Sequence, residues 1–313
     1  EIVELDWVNF ATLLESGDVS IETWEQAKAD VANCTASKTK AELLAVAMER
    51  RILMAPIADL REVVNSAQLT ARGYFDDLHI GKKKIVAPGA FAQVSPTPLT
   101  PMSQVIELGA DTDKILANKH YSVSKIPATK IRKKPLDGVK VVDFTWSLAG
   151  PYATRVLSDL GATVVKIESN KKPDAARGFL PIWDNIPGSE QSAMFDSANA
   201  GKLSLSLDLS KPEAISVVHD LVSWADVVSE SFSPKVMTGW GLGYEQLAKI
   251  NSRVIMVSTC LNGQYGPLAS FAGYGNLGAA LSGFYGLAGW PDRPPAGPFG
   301  AYTDYTSTHF LVA

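Results

Sequence analysis

Few side chains in this sequence stand where chemistry would need them, and several familiar constellations are missing. Cys34 and Cys260 are too few for a zinc site or a disulfide framework, so a reducing compartment is expected. His79, His120, His219 and His309 stand alone, without metal-ligand spacing, and no metal is expected. The turn Thr145-Trp146-Ser147-Leu148-Ala149-Gly150-Pro151 lies where a dinucleotide site would carry three spaced glycines. It has one, so the nicotinamide and flavin fingerprint fails, and no P-loop run is present either. Lys82, Lys83 and Lys84 form a dense basic spot that reads as a solvated hairpin turn. Near the end stands Asp304, in Gly300-Ala301-Tyr302-Thr303-Asp304-Tyr305, at a place where an aspartate caps a helix beginning at Tyr305.

The elements that must position these residues follow from apolar spacing. Val139 to Phe144 is an apolar run, Tyr152 to Leu160 has helical spacing, and Thr163 to Ile167 is a β-branched run. Strand, turn, helix and strand within residues 136–168 make one βαβ unit. Both strands read as continuously apolar, as in a parallel sheet buried on two faces. Pro151 suits a first helical turn, and Gly161 suits a left-handed helix end. Further strands are predicted at Leu203–Leu209, Asp226–Ser229 and Arg253–Ser258. Helical pieces are predicted at Pro212–Trp224, Pro234–Trp240, Gly243–Ile250 and Leu277–Leu287, with the start of an apolar helix at His309–Ala313.

The first hundred residues have another texture. Ser20 is placed to cap a helix through Ala32, and Thr39 with Glu42 forms a capping box for a helix that Pro56 ends. A short helix follows at Leu60–Val64. Tyr74–Ile80, Lys84–Val86 and Ala90–Val94 are β-like runs, then Pro96, Pro98 and Pro101 exclude regular structure before a short helix, Asp111–Ala117. Residues 119–135 are basic and polar and read as a linker. The 313 residues fit about two domains. A net charge of -4 argues against nucleic acid, no apolar run reaches membrane-spanning length, and the start lacks a signal-peptide pattern. A cytoplasmic or other reducing intracellular location is expected.

The second half resembles the family III CoA-transferases, the CaiB/BaiF group that includes formyl-CoA and carnitine-CoA transferases. The resemblance is carried by residues 136–168, KLSLSLDL (202–209), ADVVSESFSPKVMTGWGLGYEQL (225–247), INSRVIMVSTCLNGQYGP (250–267) and GAYTDYTS (300–307). Residues 39–75, 95–101 and 107–116 resemble the family's C-terminal third, but here they come first. The implied fold class is α/β: a Rossmann-like doubly wound domain preceded by an α+β small-domain segment. The implied division is 1–118, a linker at 119–135, and 136–313. A piece across the junction of a tandem-fused transferase is favoured over a circular permutation, and the ending at Ala313 reads as truncated.

The resemblance implies a mechanism and a site. An aspartate carboxylate, matched by Asp304, attacks an acyl-CoA thioester to give a mixed anhydride, and the exchange continues through aspartyl-CoA. Water must be kept from the anhydride. Gly300 is expected to let backbone N–H groups approach the developing oxyanion. Coenzyme A contacts are implied at Trp146, Ser147, Leu148, Ala149, Arg177, Lys202, Leu207, Ser231 and Phe232. Three departures stand out: Leu203 where an arginine is usual, Ser231 in place of an asparagine, and Gly239 or Trp240 in place of another arginine. Each removes a handle for phosphates, for which Lys171, Lys172 and Lys235 are the available substitutes. Racemases of this fold carry a histidine that is absent from Gly273-Tyr274-Gly275, which disfavours racemisation. The implied partners are an acyl-CoA and a small carboxylic acid, with an interlocked homodimer or pairing with a fused second copy. A fused transferase-lyase and a non-catalytic scaffold half are the alternatives.

Overall fold

A computed structural model describes residues 13–14, 16–100, 105–118, 133–185, 190 and 192–313. The predicted linker falls largely outside them. The chain divides into two compact units, residues 1–56 and 57–313. The first holds α1 (Ile21–Ala36) and α2 (Lys40–Arg50). Ser20 Oγ accepts from the Thr23 N–H at 3.1 Å, so the predicted cap is present and its helix runs four residues past Ala32. The Thr39–Glu42 capping box closes in both directions, at 2.8 and 3.2 Å. That helix stops at Arg50 rather than near Pro56, because Arg51 takes a left-handed conformation, φ 57.

The second unit opens with α3 (Leu60–Val64) and α4 (Ala67–Ala71), then an antiparallel hairpin of β1 (Phe75–Ile80) and β2 (Lys83–Pro88). The lysine spot is the exposed end of this hairpin, with Lys84 paired to Asp77 at 2.7 Å. The predicted run at Ala90–Val94 is not a strand. Helix α5 (Thr112–Ala117) follows.

Residues 140–313 build β3 (Lys140–Phe144), α6 (Ala149–Asp159), β4 (Thr163–Glu168), α7 (Ala193–Asn199), β5 (Leu203–Ser206), α8 (Pro212–Trp224) and β6 (Val227–Glu230). They continue through α9 (Val236–Gly239), α10 (Tyr244–Ile250), β7 (Ile255–Ser258), α11 (Gly275–Leu281), α12 (Phe284–Leu287) and α13 (Tyr302–Val312). The five strands form one parallel sheet in the order β5-β4-β3-β6-β7. The order reverses between β3 and β6, where such sheets open a crevice for ligands beyond their carboxyl ends.

One sheet face buries Val142, Phe144, Ile167 and Val228 against Val218 and Val222 of α8 and Leu247 of α10. The other packs Val141 and Val164 against Leu157 of α6. Covering both faces explains the unbroken apolar runs of β3 and β4. Gly161, at φ 107, ends the turn after α6 as expected.

Several boundaries differ from the sequence expectation for local reasons. The strand predicted to Leu209 ends at Ser206, where its partner β4 ends at Glu168, and Asp208 then folds back to take the Ser210 N–H and hydroxyl. The helix predicted at Leu277–Leu287 is two helices, split at Gly283 with φ 86. The last helix begins at Tyr302 rather than near His309, so Asp304 sits inside its first turn.

Candidate active site

The β3–α6 turn is fixed by a cage of buried charge. Asp143, next to last in β3, is fully buried and accepts from the Thr145 N–H (2.9 Å), the Thr145 hydroxyl (2.6 Å), the Thr154 hydroxyl (2.7 Å) and Lys202 Nζ (3.0 Å). Burial alone would raise its pKa. The ammoniums of Lys202 and Lys166, with the two hydroxyls, outweigh that and hold the carboxyl below its ordinary value. Lys166 Nζ donates to the Thr145 carbonyl at 2.8 Å and to Asp174 at 3.0 Å. Asp174, 1% exposed, takes the Ser147 N–H on its other oxygen at 2.9 Å. This bond holds Ser147 at φ 63, a conformation costly for any residue but glycine.

The turn so held reaches across the crevice between β3 and β6. The Trp146 N–H donates to Ser231 Oγ at 2.7 Å. The Trp146 ring meets Phe232 edge-on at 5.8 Å, and Phe232 meets Trp240 at 5.3 Å. Glu230, 2% exposed, accepts the Phe232 N–H at 2.7 Å, and the amide of Gln264 bridges from Glu230 to the Phe232 carbonyl. Burial pushes the Glu230 carboxyl up, against the pull of the Ser258 hydroxyl and the Phe232 N–H. Trp146, Ser147, Leu148, Ala149, Ser231 and Phe232 therefore meet at one place, the reversal point of the sheet.

Asp304 does not cap its own helix, which has no side-chain cap. Its Oδ2 instead accepts the N–H of Gly275, the first residue of α11, at 2.9 Å. A methyl group on Gly275 would lie 2.8 Å from that oxygen and 2.9 Å from the Ala301 carbonyl, so only glycine permits this approach. The second oxygen, Oδ1, has no hydrogen-bond partner among the described residues. Partial burial raises the Asp304 pKa, and the Gly275 N–H only partly offsets it. Helix α13 runs along α6, with the Thr308 hydroxyl 3.4 Å from the Ala149 carbonyl and the Tyr305 ring 5.2 Å from Tyr152. Asp304 thus lies one helical turn before a contact with the Trp146–Ala149 turn. Gly300 sets the entry to α13, at φ 60, while the glycine beside the carboxylate is Gly275.

Two of the predicted coenzyme A contacts have their charges engaged within the protein. Lys202, with its side chain 2% exposed, gives its three donors to Asp143, the Pro151 carbonyl (2.9 Å) and Asn199 (2.8 Å). A lysine ammonium has only three N–H donors, so all of those of Lys202 are engaged beneath the turn. Burial lowers its pKa to about 8, against the pull of Asp143. Arg177 bonds Glu168 at 2.6 Å and Glu190 at 3.1 Å, and its guanidinium stacks 3.7 Å over Phe195. Both residues line a cleft of about 510 Å³ over β4 and β5, together with Lys166, Glu168, Asn170 and Ser206. A smaller cleft, about 150 Å³, is lined by Glu230, Ser233, Lys235 and Ser258 among others. Asp304 lines neither. Leu207 packs against the main core cluster.

Asp143, Lys166, Asp174, Glu230 and Gly275 were not picked out from the sequence. A charged residue inside a strand buried on both faces was the available signal for Asp143 and Lys166; Asp174 and Gly275 carry no local mark. No cluster of metal-ligand type occurs among the described residues, and no helix among them is long and apolar enough to cross a membrane.

Comparison with known proteins adds to this geometry. Residues 2–112 and 136–313 match the profile described as CoA-transferase family III. The chain is 39% identical over 166 residues to a succinate–glutarate CoA-transferase of Agrobacterium fabrum, covering 52% of this chain and 42% of that protein. It is 40% identical over 163 residues to an acetyl-CoA:oxalate CoA-transferase of Acetobacter aceti, covering 52% and 41%. The crystal structure of a CAIB/BAIF family protein from Brucella suis superposes with a TM-score of 0.53 at 36% identity, over 57% of this chain and 48% of that one. The chain spans less than half the length of these relatives.

Proposed function

The chain belongs to CoA-transferase family III, and from that premise we propose that it acts as an acyl-CoA:carboxylate CoA-transferase with Asp304 as the nucleophile. The observation that carries the reading is the Asp304 carboxylate: one oxygen pinned by the Gly275 N–H, the other free, on a helix that packs along α6. In this reading Oδ1 attacks the thioester carbonyl, the C–S bond breaks, and coenzyme A leaves as a thiolate, giving a mixed anhydride. The thiolate then attacks the aspartyl carbonyl, releasing the first acid and leaving aspartyl-CoA. The acceptor carboxylate attacks that thioester in turn, and the released thiolate takes the new acyl group. Asp304 returns as a free carboxylate.

Partial burial suits both halves of the cycle, since a poorly solvated carboxylate attacks readily and a shielded anhydride escapes water. The Trp146–Ala149 turn with Ser231 and Phe232 is proposed to hold coenzyme A at the sheet crevice. Relatives named for succinate, glutarate and oxalate make short dicarboxylic acids the proposed acceptors. We also assign residues 1–118 and 136–313 to two successive copies joined by 119–135, with pairing between copies or chains.

Trapping tests the chemistry. Hydroxylamine added during turnover by the full-length protein should convert Asp304 to a hydroxamate, located by peptide mass spectrometry; modification elsewhere would overturn the assignment. The engaged charges of Arg177 and Lys202 favour one second reading, a half that holds its partner and performs no exchange. Calorimetric titration with coenzyme A separates the two, because a scaffold half shows no binding.

A further inference from the structure

The proposed site needs positive charge for the phosphates of coenzyme A, and the cations beside the turn are largely taken. Lys166 and Lys202 are buried in the cage, Arg177 is held by two carboxylates, and Lys171 pairs with Asp208 at 2.7 Å. Lys172 differs. It is exposed, and among the described residues its ammonium has no carboxylate partner. Its backbone is fixed in a tight turn at the carboxyl end of β4, with its N–H donating to the Ser169 carbonyl at 3.1 Å and a bridge to the same residue. Its Nζ stands 5.8 Å from the centre of the Trp146 ring. An indole face attracts an ammonium by its quadrupole yet leaves the N–H donors free for an anion.

Resting on the reading above, we infer that Lys172, steered by the Trp146 indole, is the cation that receives a phosphate of coenzyme A. The two residues act as a pair: the indole closes the pantetheine end at the crevice, and the ammonium marks where the charged end leaves it. An ammonium binds phosphate as a point charge with adaptable geometry, so a single lysine on a fixed turn serves without a bidentate fork.

The test is calorimetric titration of the full-length protein and of its Lys172→Ala, Lys171→Ala and Lys235→Ala variants with coenzyme A and with pantetheine. Lys172→Ala should weaken coenzyme A about tenfold, equivalent to about 1.4 kcal/mol. Its affinity for pantetheine, which lacks phosphates, should not change, and Lys171→Ala should match the unsubstituted protein. Wild-type affinity in Lys172→Ala, an equal loss for pantetheine, or a loss found in Lys235→Ala instead would overturn the inference. Failure of the unsubstituted protein to bind coenzyme A would overturn the transferase reading with it.

Discussion

At Asp304, a partly buried charge and a single hydrogen bond pull in opposite directions, and burial wins. A carboxyl whose folded pKa is raised binds more protons folded than unfolded, so its contribution to stability falls as pH rises through that window. Asp304→Asn keeps an oxygen for the Gly275 N–H and removes the charge. The variant should melt at the same temperature or higher at pH 7, with the difference closing as pH falls below the ordinary aspartate pKa of about 3.9, where the native side chain becomes protonated in both states. Its exchange rate should drop by about three orders of magnitude or more, roughly 4 kcal/mol of barrier. Thermal melts across pH, set beside initial rates, check both halves; a strongly destabilised Asn variant would mean that the carboxylate is structural. The sequence around Asp304 singles it out as a candidate, but it gives no sign of the Gly275 contact. Asp304 and Gly275 are 29 residues apart, and nothing near either one announces the contact.

Helices and strands place these side chains through close approach and through paired charge. Gly275→Ala puts a methyl group 2.8 Å from Asp304 Oδ2, so α13 must shift. A displacement of that kind should lower kcat/KM on the order of 100-fold. Gly239→Ala, which meets nothing within 4 Å, is the control and should leave kinetics unchanged. Beneath the turn, Asp174→Ala strands the Lys166 ammonium in the interior. The expected loss is about 3–5 kcal/mol by denaturant titration, partly recovered in the Asp174→Ala/Lys166→Met double variant. The sheet itself was readable, because β3, β4, β6 and β7 are apolar runs of strand length and α6 carries its proline and glycine at its ends. The misplaced boundaries have separate causes: partner length ended β5, and a left-handed glycine divided α11 from α12. Neither is encoded in the local period.

Across the whole chain, early residues close onto late ones. Gln68, 3% exposed, donates to the carbonyls of Asn262 (2.7 Å) and Tyr265 (2.9 Å) and accepts the Leu268 N–H at 2.7 Å, while the Ala58 N–H reaches the Ala280 carbonyl at 2.9 Å. These contacts put residues 57–100 in one compact unit with the sheet domain, and the compact-unit boundary falls at Pro56. No sequence pattern marks that boundary, because a single amide serves three backbone groups about 200 positions away. Gln68→Ala leaves two carbonyls and one N–H without partners at a part-buried contact and should cost about 1–3 kcal/mol. Hydrogen exchange should accelerate together in residues 67–73 and 262–268; faster exchange in only one segment would show that they are not coupled.

The cage under the Trp146 turn has a consequence for the order of assembly. Its four charges come from β3, the middle of β4, the loop after β4 and the approach to β5; Lys166 meets Asp174 locally, but Asp143 meets Lys202 only once β3 and the approach to β5 flank β4. Until then Asp143 and Lys202 are left to water, and the turn lacks that support. The Asp143–Lys202 contact is therefore expected to close late in folding, so that its loss should hasten unfolding more than it slows folding.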